Sequence, residues 1–144
     1  MRSNRSLNSR EIKHRRLEPT SMKLSQVLQS LNAKTMWVHD PRILDREYTC
    51  VSATDLMSDA LAMVKSDTNH TLLLTGLQNA QSLRTAEMLD IQTIIYVRSK
   101  ELPPEDLQLA KEMEMNVFST GYSMYEACGV LYMEGLATAT KSYD

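Results

Sequence analysis

The sequence predicts one α/β domain built on a parallel sheet, and three observations carry that expectation. Short strand-like runs at 71–75, 93–97 and 116–119 alternate with stretches of helical periodicity. The run Thr71-Leu72-Leu73-Leu74-Thr75 is continuously apolar and stopped by Gly76, the pattern of a strand buried on both faces. The length of 144 residues, with 42% apolar and 24% charged residues, fits a single globular domain. Strands alternating with helices and covered on both faces require right-handed crossovers, hence parallel strands.

Each element has its own signal. From Met22, the apolar residues Leu24, Val27, Leu28 and Leu31 recur at three- and four-residue steps, one face of a helix. Residues 35–39 read as a short strand ended by Asp40-Pro41, and residues 48–52 as another extended piece. Thr54 and Asp55 supply an N-cap and an early acid for a helix with Leu56, Met57, Ala60, Leu61 and Val64 inward. After the strand at 71–75 comes a helix over 80–89, then the strand at 93–97. Pro103 and Pro104 open the next helix, with Leu107, Ala110 and Met113 inward. The strand at 116–119 leads to a last helix over 124–134, whose Ser123 and Glu126 have capping-box spacing.

Charge divides the chain. The net charge is −2, yet residues 1–21 carry six basic groups against two acidic ones, leaving the body acidic. An acidic body repels polyanions, which argues against nucleic acid as the main partner. The basic arm lacks the apolar core of a secretory signal and reads as a disordered segment at 1–21, preceding a domain at 22–136 and a C-terminal tail at 137–144. No apolar run is long enough to span a membrane. The two cysteines, Cys50 and Cys128, form no C-x-x-C pair, which points to a reducing cytoplasm and to neither a disulfide framework nor a zinc cluster. The four glycines match neither G-x-G-x-x-G nor the P-loop.

Chemistry in an open parallel sheet sits beyond the carboxyl ends of the strands. Three loops leave those ends: 75–79, 98–100 and 119–123. They bring Thr75, Gly76, Asn79, Arg98, Lys100, Thr120 and Ser123 to one edge, a set of hydroxyls, amides and two cations suited to a phosphate or carboxylate. The same residues also serve as helix caps and turn formers, and both readings stand at this stage. No nucleophile–base–orienter set emerges: His14, His39 and His70 are isolated, and Cys128 reads as a small core residue between Ala127 and Leu131. Asp55 and Asp59, four apart, read as a solvated acidic face rather than half of a cation site, so no metal and no cofactor are expected. The methionines Met57, Met63, Met88, Met113 and Met124 read as core filling.

The segments SATDLMSDALA at 52–62, LLLTGLQNAQ at 72–81, RTAEMLDI at 84–91, YVRSK at 96–100 and FSTGYSMYEACG at 118–129, with Gly135-Leu136, resemble in that order a stand-alone DRTGG-domain protein. The resemblance covers about residues 22–136. It extends to the N-terminal domain of HPr kinase/phosphorylase and to the accessory domain of phosphotransacetylases and regulated pyrophosphatases. It implies a three-layer α/β/α sandwich with a mostly parallel sheet and a non-catalytic regulatory role, ligand-sensing or assembly, with a homodimer and a small anionic ligand as the expected partners. It also implies association with hydrogenase or electron-transfer proteins. A kinase activity does not carry over, because the P-loop it needs is missing. The competing classes are a small enzyme acting on a phosphorylated metabolite and a purely structural protein-interaction module. Two positions depart from the pattern: Ser99 stands where relatives commonly have Gly, and Gly121 where small relatives carry a longer residue, often Lys.

Overall fold

A computed structural model describes residues 20–63 and 68–139. Residues 1–19, and with them His14 and nearly all of the basic arm, lie outside the described residues, as do Val64 and residues 140–144. In chain order the elements are β1 (Met22–Lys23), α1 (Leu24–Ser30), β2 (Lys34–Trp37), a 3-10 turn (Pro41–Asp45), β3 (Glu47–Tyr48), β4 (Cys50–Ala53), α2 (Met57–Met63), β5 (Thr71–Thr75), α3 (Ala80–Met88), β6 (Thr93–Tyr96), α4 (Pro104–Glu112), β7 (Asn116–Ser119), α5 (Met124–Met133) and β8 (Ala137–Thr138). The main sheet has six strands in the order β2-β7-β6-β5-β4-β8, parallel except for the β2 edge.

This order follows from crossover handedness. The chain steps from β4 to β5, β6 and β7 in one direction, so right-handed crossovers place α2, α3 and α4 on one face. Leu83 and Ala86 of α3 and Ala110 of α4 accordingly pack with Ile94 and Tyr96 of the sheet. From β7 the chain returns to the far edge as β8, and the same handedness sends α5 to the opposite face. There Ala127 and Leu131 join Leu24 and Val27 of α1 and its C-cap Leu31 over Leu72, Leu74 and Ile95. Two helical layers thus enclose the sheet, and β5, β6 and β7 are buried on both sides along their whole length.

Helix ends explain most of the unusual backbone. After α1, α3, α4 and α5, residues Asn32, Asp90, Glu114 and Gly135 take positive φ. At each, the following N–H reaches back to the residue five before it: Ala33 to Leu28, Ile91 to Ala86, Met115 to Ala110 and Leu136 to Leu131, at 2.9–3.1 Å. These are Schellman endings, which satisfy the free carbonyls of the last turn. Only one of the four uses glycine.

Several elements differ from the sequence expectation. Met22 and Lys23 form a short strand against Tyr48 and Glu47, so α1 starts at Leu24. The extended piece at 48–52 is two strands in two different sheets. Residues 137–138, read as tail, pair in parallel with Cys50 and Val51 of β4. Met57 and Ala60 of α2 are buried, but Leu61 in the helix and Leu56 just before it are 42% and 56% exposed. Met88 is also exposed, and Cys128 is half-buried at the flank of α5 rather than in the core.

Candidate functional site

The loops after β6 and β7 diverge to opposite faces, which makes the β6/β7 boundary the topological switch point of the sheet. Here the two loops are stitched together. The Arg98 N–H donates to the Tyr122 carbonyl and the Ser99 N–H to the Thr120 carbonyl, both at 2.8 Å. Arg98 and Ser99 take φ of 60° and 56°, and the Lys100 N–H closes the turn on the Val97 carbonyl at 3.2 Å. Two consecutive positive φ values with that bond are the marks of a type I′ turn, built here without glycine or asparagine. Apart from helix endings, these are the two non-glycine residues with positive φ among the described residues.

That turn aims the Arg98 side chain back across β5. Its guanidinium lies over Gly76: a Cβ added there would meet the Arg98 Cζ at 2.9 Å. Glycine at 76 is therefore what allows the cation to lie against the strand end. Facing it is Asp55, from the segment joining β4 to α2. The Gly76 N–H donates to Asp55 Oδ1 at 2.6 Å and the Thr75 hydroxyl approaches the same oxygen at 3.4 Å. Arg98 Nη2 stands 3.7 Å from Asp55 Oδ2, with both side chains about half exposed. The structure thus gathers Thr75, Gly76 and Arg98 around a carboxylate that belongs to the chain itself. Asp55 is consequently neither an early helix acid nor a partner of Asp59 on one helix face.

The other sequence candidates have local work. Asn79 caps α3, accepting from the Gln81 and Ser82 N–H groups at 3.0 and 3.3 Å. Ser123 caps α5 in a reciprocal box with Glu126, both bonds at 3.1 Å, and these hydrogen bonds hold the Glu126 carboxyl below its ordinary range. Thr120 is buried; its hydroxyl donates to the Leu31 carbonyl at 2.6 Å and accepts from the Tyr122 N–H at 3.2 Å. The Lys100 carbonyl accepts from the Ser119 hydroxyl at 2.9 Å. Gly121 lies open beside Ser99, so a side chain there would have room.

Away from this edge, the opposite end of the sheet holds a polar cavity of about 380 Å³ whose charged groups pair within it. His39 Nε2 lies 3.7 Å from Glu114, Arg42 chelates Asp40, and Arg46 donates to Gln92 Oε1 at 2.8 Å. An apolar groove of about 370 Å³ runs between α5 and the β4/β8 edge, lined by Val51, Tyr125, Cys128, Tyr132 and Leu136. Burial there raises the Cys128 thiol pKa. Among the described residues, no cluster of His, Cys, Asp and Glu is placed to hold a metal ion, and no helix is long and apolar enough to cross a membrane.

No family model and no curated protein matches the sequence. A solved structure does match the fold: the CBS and DRTGG domains of the regulatory region of Clostridium perfringens pyrophosphatase, in complex with its activator diadenosine tetraphosphate. The TM-score is 0.58 at 16% identity, over 85% of this chain. The fold is DRTGG-like. The match takes in 51% of the pyrophosphatase chain, so this chain spans about half of that regulatory region.

Proposed function

We propose that this chain is a non-catalytic regulatory module that senses a phosphate- or carboxylate-bearing small molecule at the carboxyl ends of β5 and β6. The observation that carries this is the convergence of the Gly76 N–H, the Thr75 hydroxyl and the Arg98 guanidinium on one carboxylate position. Donors arranged around an anion, one of them a cation that glycine admits to the strand end, form a recognition geometry. The DRTGG-like fold supports the reading, since the pyrophosphatase regulatory region it resembles, made of CBS and DRTGG domains, is complexed with a nucleotide activator. The Thr120 hydroxyl is held by the Leu31 carbonyl and the Tyr122 N–H, so the proposed binding set centres on Thr75, Gly76 and Arg98.

Calorimetric titration and thermal melting with inorganic phosphate, nucleotides and diadenosine tetraphosphate test this. A ligand held at 100 times its Kd should add ~2.7 kcal/mol of stability. Arg98→Ala should weaken binding by ~1.5–3 kcal/mol, the range for a hydrogen bond to a charged group. If no anion shifts the melting of the wild-type chain, the site is a set of caps and one surface ion pair, and the structural-module alternative takes over.

The assembly half of the role is proposed to run through α5. This helix carries one charged residue in ten, with Tyr125 89% and Met133 56% exposed. Gly129 lies between them with nothing within 4 Å of its Cβ position. Antiparallel packing of two copies about a two-fold axis at Gly129 sets Tyr125 of one against Met133 of the other. The geometry is self-complementary, as a two-fold interface requires. Neither the fold nor the comparisons bear on a hydrogenase or electron-transfer partner, and none is proposed.

A further inference from the structure

We propose that Asp55 is a built-in competitor for the ligand: its carboxylate stands where the phosphate or carboxylate of the ligand binds, and ligand entry releases it together with the start of α2. The proposal rests on the anion-sensing role above and adds what that role does to the chain.

The contacts of Asp55 are those of a bound anion. Oδ1 takes the Gly76 N–H at 2.6 Å and faces the Thr75 hydroxyl at 3.4 Å, while Oδ2 lies opposite Arg98 at 3.7 Å. The fit is incomplete, because 3.7 Å is beyond a hydrogen bond and the Arg98 fork remains unfilled. A tetrahedral phosphate has more charge and more acceptor oxygens than one carboxylate, and can reach donors that Asp55 leaves short. Both side chains are about half exposed, so solutes reach the pair without unfolding.

The two sides of the pair differ in what anchors them. Arg98 belongs to a turn fixed by three backbone hydrogen bonds, to Tyr122, Thr120 and Val97. Asp55 belongs to a three-residue approach to α2, tied by the Thr54 N–H, which donates to the Leu74 carbonyl at 3.1 Å, and by the Thr54 hydroxyl, which accepts from the Leu56 N–H at 3.0 Å. Beyond it, α2 buries Met57 and Ala60 while Leu56 and Leu61 face solvent. A helix with two buried apolar side chains among its described ones opens at low cost. Competition at Asp55 therefore converts anion binding into loosening of α2, and by linkage whatever holds α2 in place weakens anion binding equally.

The test titrates inorganic phosphate and diadenosine tetraphosphate into the wild-type chain, Asp55→Ala and Asp55→Asn at fixed ionic strength, with amide hydrogen exchange of α2 followed in parallel. Asp55→Ala should bind about tenfold more tightly, since a competing charge at contact distance is gone. Asp55→Asn keeps the shape and one acceptor, and should fall between the two. Ligand should speed exchange in α2 of the wild-type chain; in Asp55→Ala exchange should already be fast and unaffected by ligand. Equal or weaker binding by both variants, with the wild type binding, overturns the competitor role and leaves anion sensing intact. Tighter binding by the variants without any change in α2 exchange removes the output step and overturns the proposal as stated. If neither the wild type nor Asp55→Ala binds either probe, anion sensing itself fails and the competitor role falls with it.

Discussion

Ser99 carries a conformational cost that its turn imposes. At φ 56° an L-residue sits in the left-handed region, which costs roughly 1–2 kcal/mol relative to the right-handed one. Glycine would remove that penalty but lose ~0.5–1 kcal/mol to greater freedom in the unfolded chain. Ser99→Gly should therefore stabilise the fold by ~0.5–1 kcal/mol, about 2–4 °C in Tm, measured by thermal melting. An unchanged or lowered Tm would show that the side chain contributes a contact worth as much as the strain. The residue scale is also where the site was only half legible in the sequence. Arg98, Gly76 and Thr75 could be placed at the sheet edge because each ends or follows a strand-like run. Asp55 could not, because Thr54-Asp55 before an apolar helical run is also the signature of a helix start. Its real partner, the Gly76 N–H, lies 21 residues away, just past the end of the adjacent strand. Nothing local encodes that neighbour; only the β4–β5 register, Ala53 beside Leu74, brings it near.

At the scale of elements, two buried tyrosines fasten helices and small strands to the sheet. The Tyr96 hydroxyl on β6 meets the Ser82 hydroxyl on α3 at 2.7 Å, and Ser82 in turn bonds the Asn79 carbonyl at 2.7 Å. The Tyr48 hydroxyl on β3 meets Thr93 on β6, also at 2.7 Å. Burial raises both phenol pKa values above the ordinary 10, against smaller opposing contributions from their hydroxyl partners. The folded chain therefore holds protons that the unfolded chain releases above pH 10. Stability from these groups is complete below pH 10 and falls as pH rises beyond it. In an alkaline titration, the tyrosinate absorbance of these two residues should appear together with loss of the far-UV circular dichroism signal. Their ionisation before unfolding would show that the hydroxyls are accessible. The strands that hold these tyrosines were legible to different degrees for a physical reason. Strands β5, β6 and β7 run through the centre, where burial on both faces forces unbroken apolar sequence. Strands β1, β3 and β8 have two residues each at the periphery, too short for any period to show.

On the scale of the whole molecule, the sheet order decides what each face must do. Stepping β4 through β7 in one direction spends three helices on one face, leaving α1 and the returning α5 to cover the other. Leu131 and Ala127 of α5 fill that cover, and the helix remains apolar on its outer side as well. A large apolar side chain on an outer face is normally covered, so an outer face bearing Tyr125 and Met133 favours a second surface. The sequence could show that α5 is apolar; it could not show which of its faces the sheet leaves open. The antiparallel pairing proposed at Gly129 would answer with a second copy. Tyr125→Glu places a charge on each side of that centre, where it would be desolvated without a partner. Sedimentation should then find a wild-type dimer and a Tyr125→Glu monomer at the same concentration, with the same circular dichroism spectrum. The folded domain should survive the change, because Tyr125 is 89% exposed and contributes little to the core. A wild-type monomer at high concentration would sink the self-association proposal, and the outer face of α5 would then need a different protein surface to cover it.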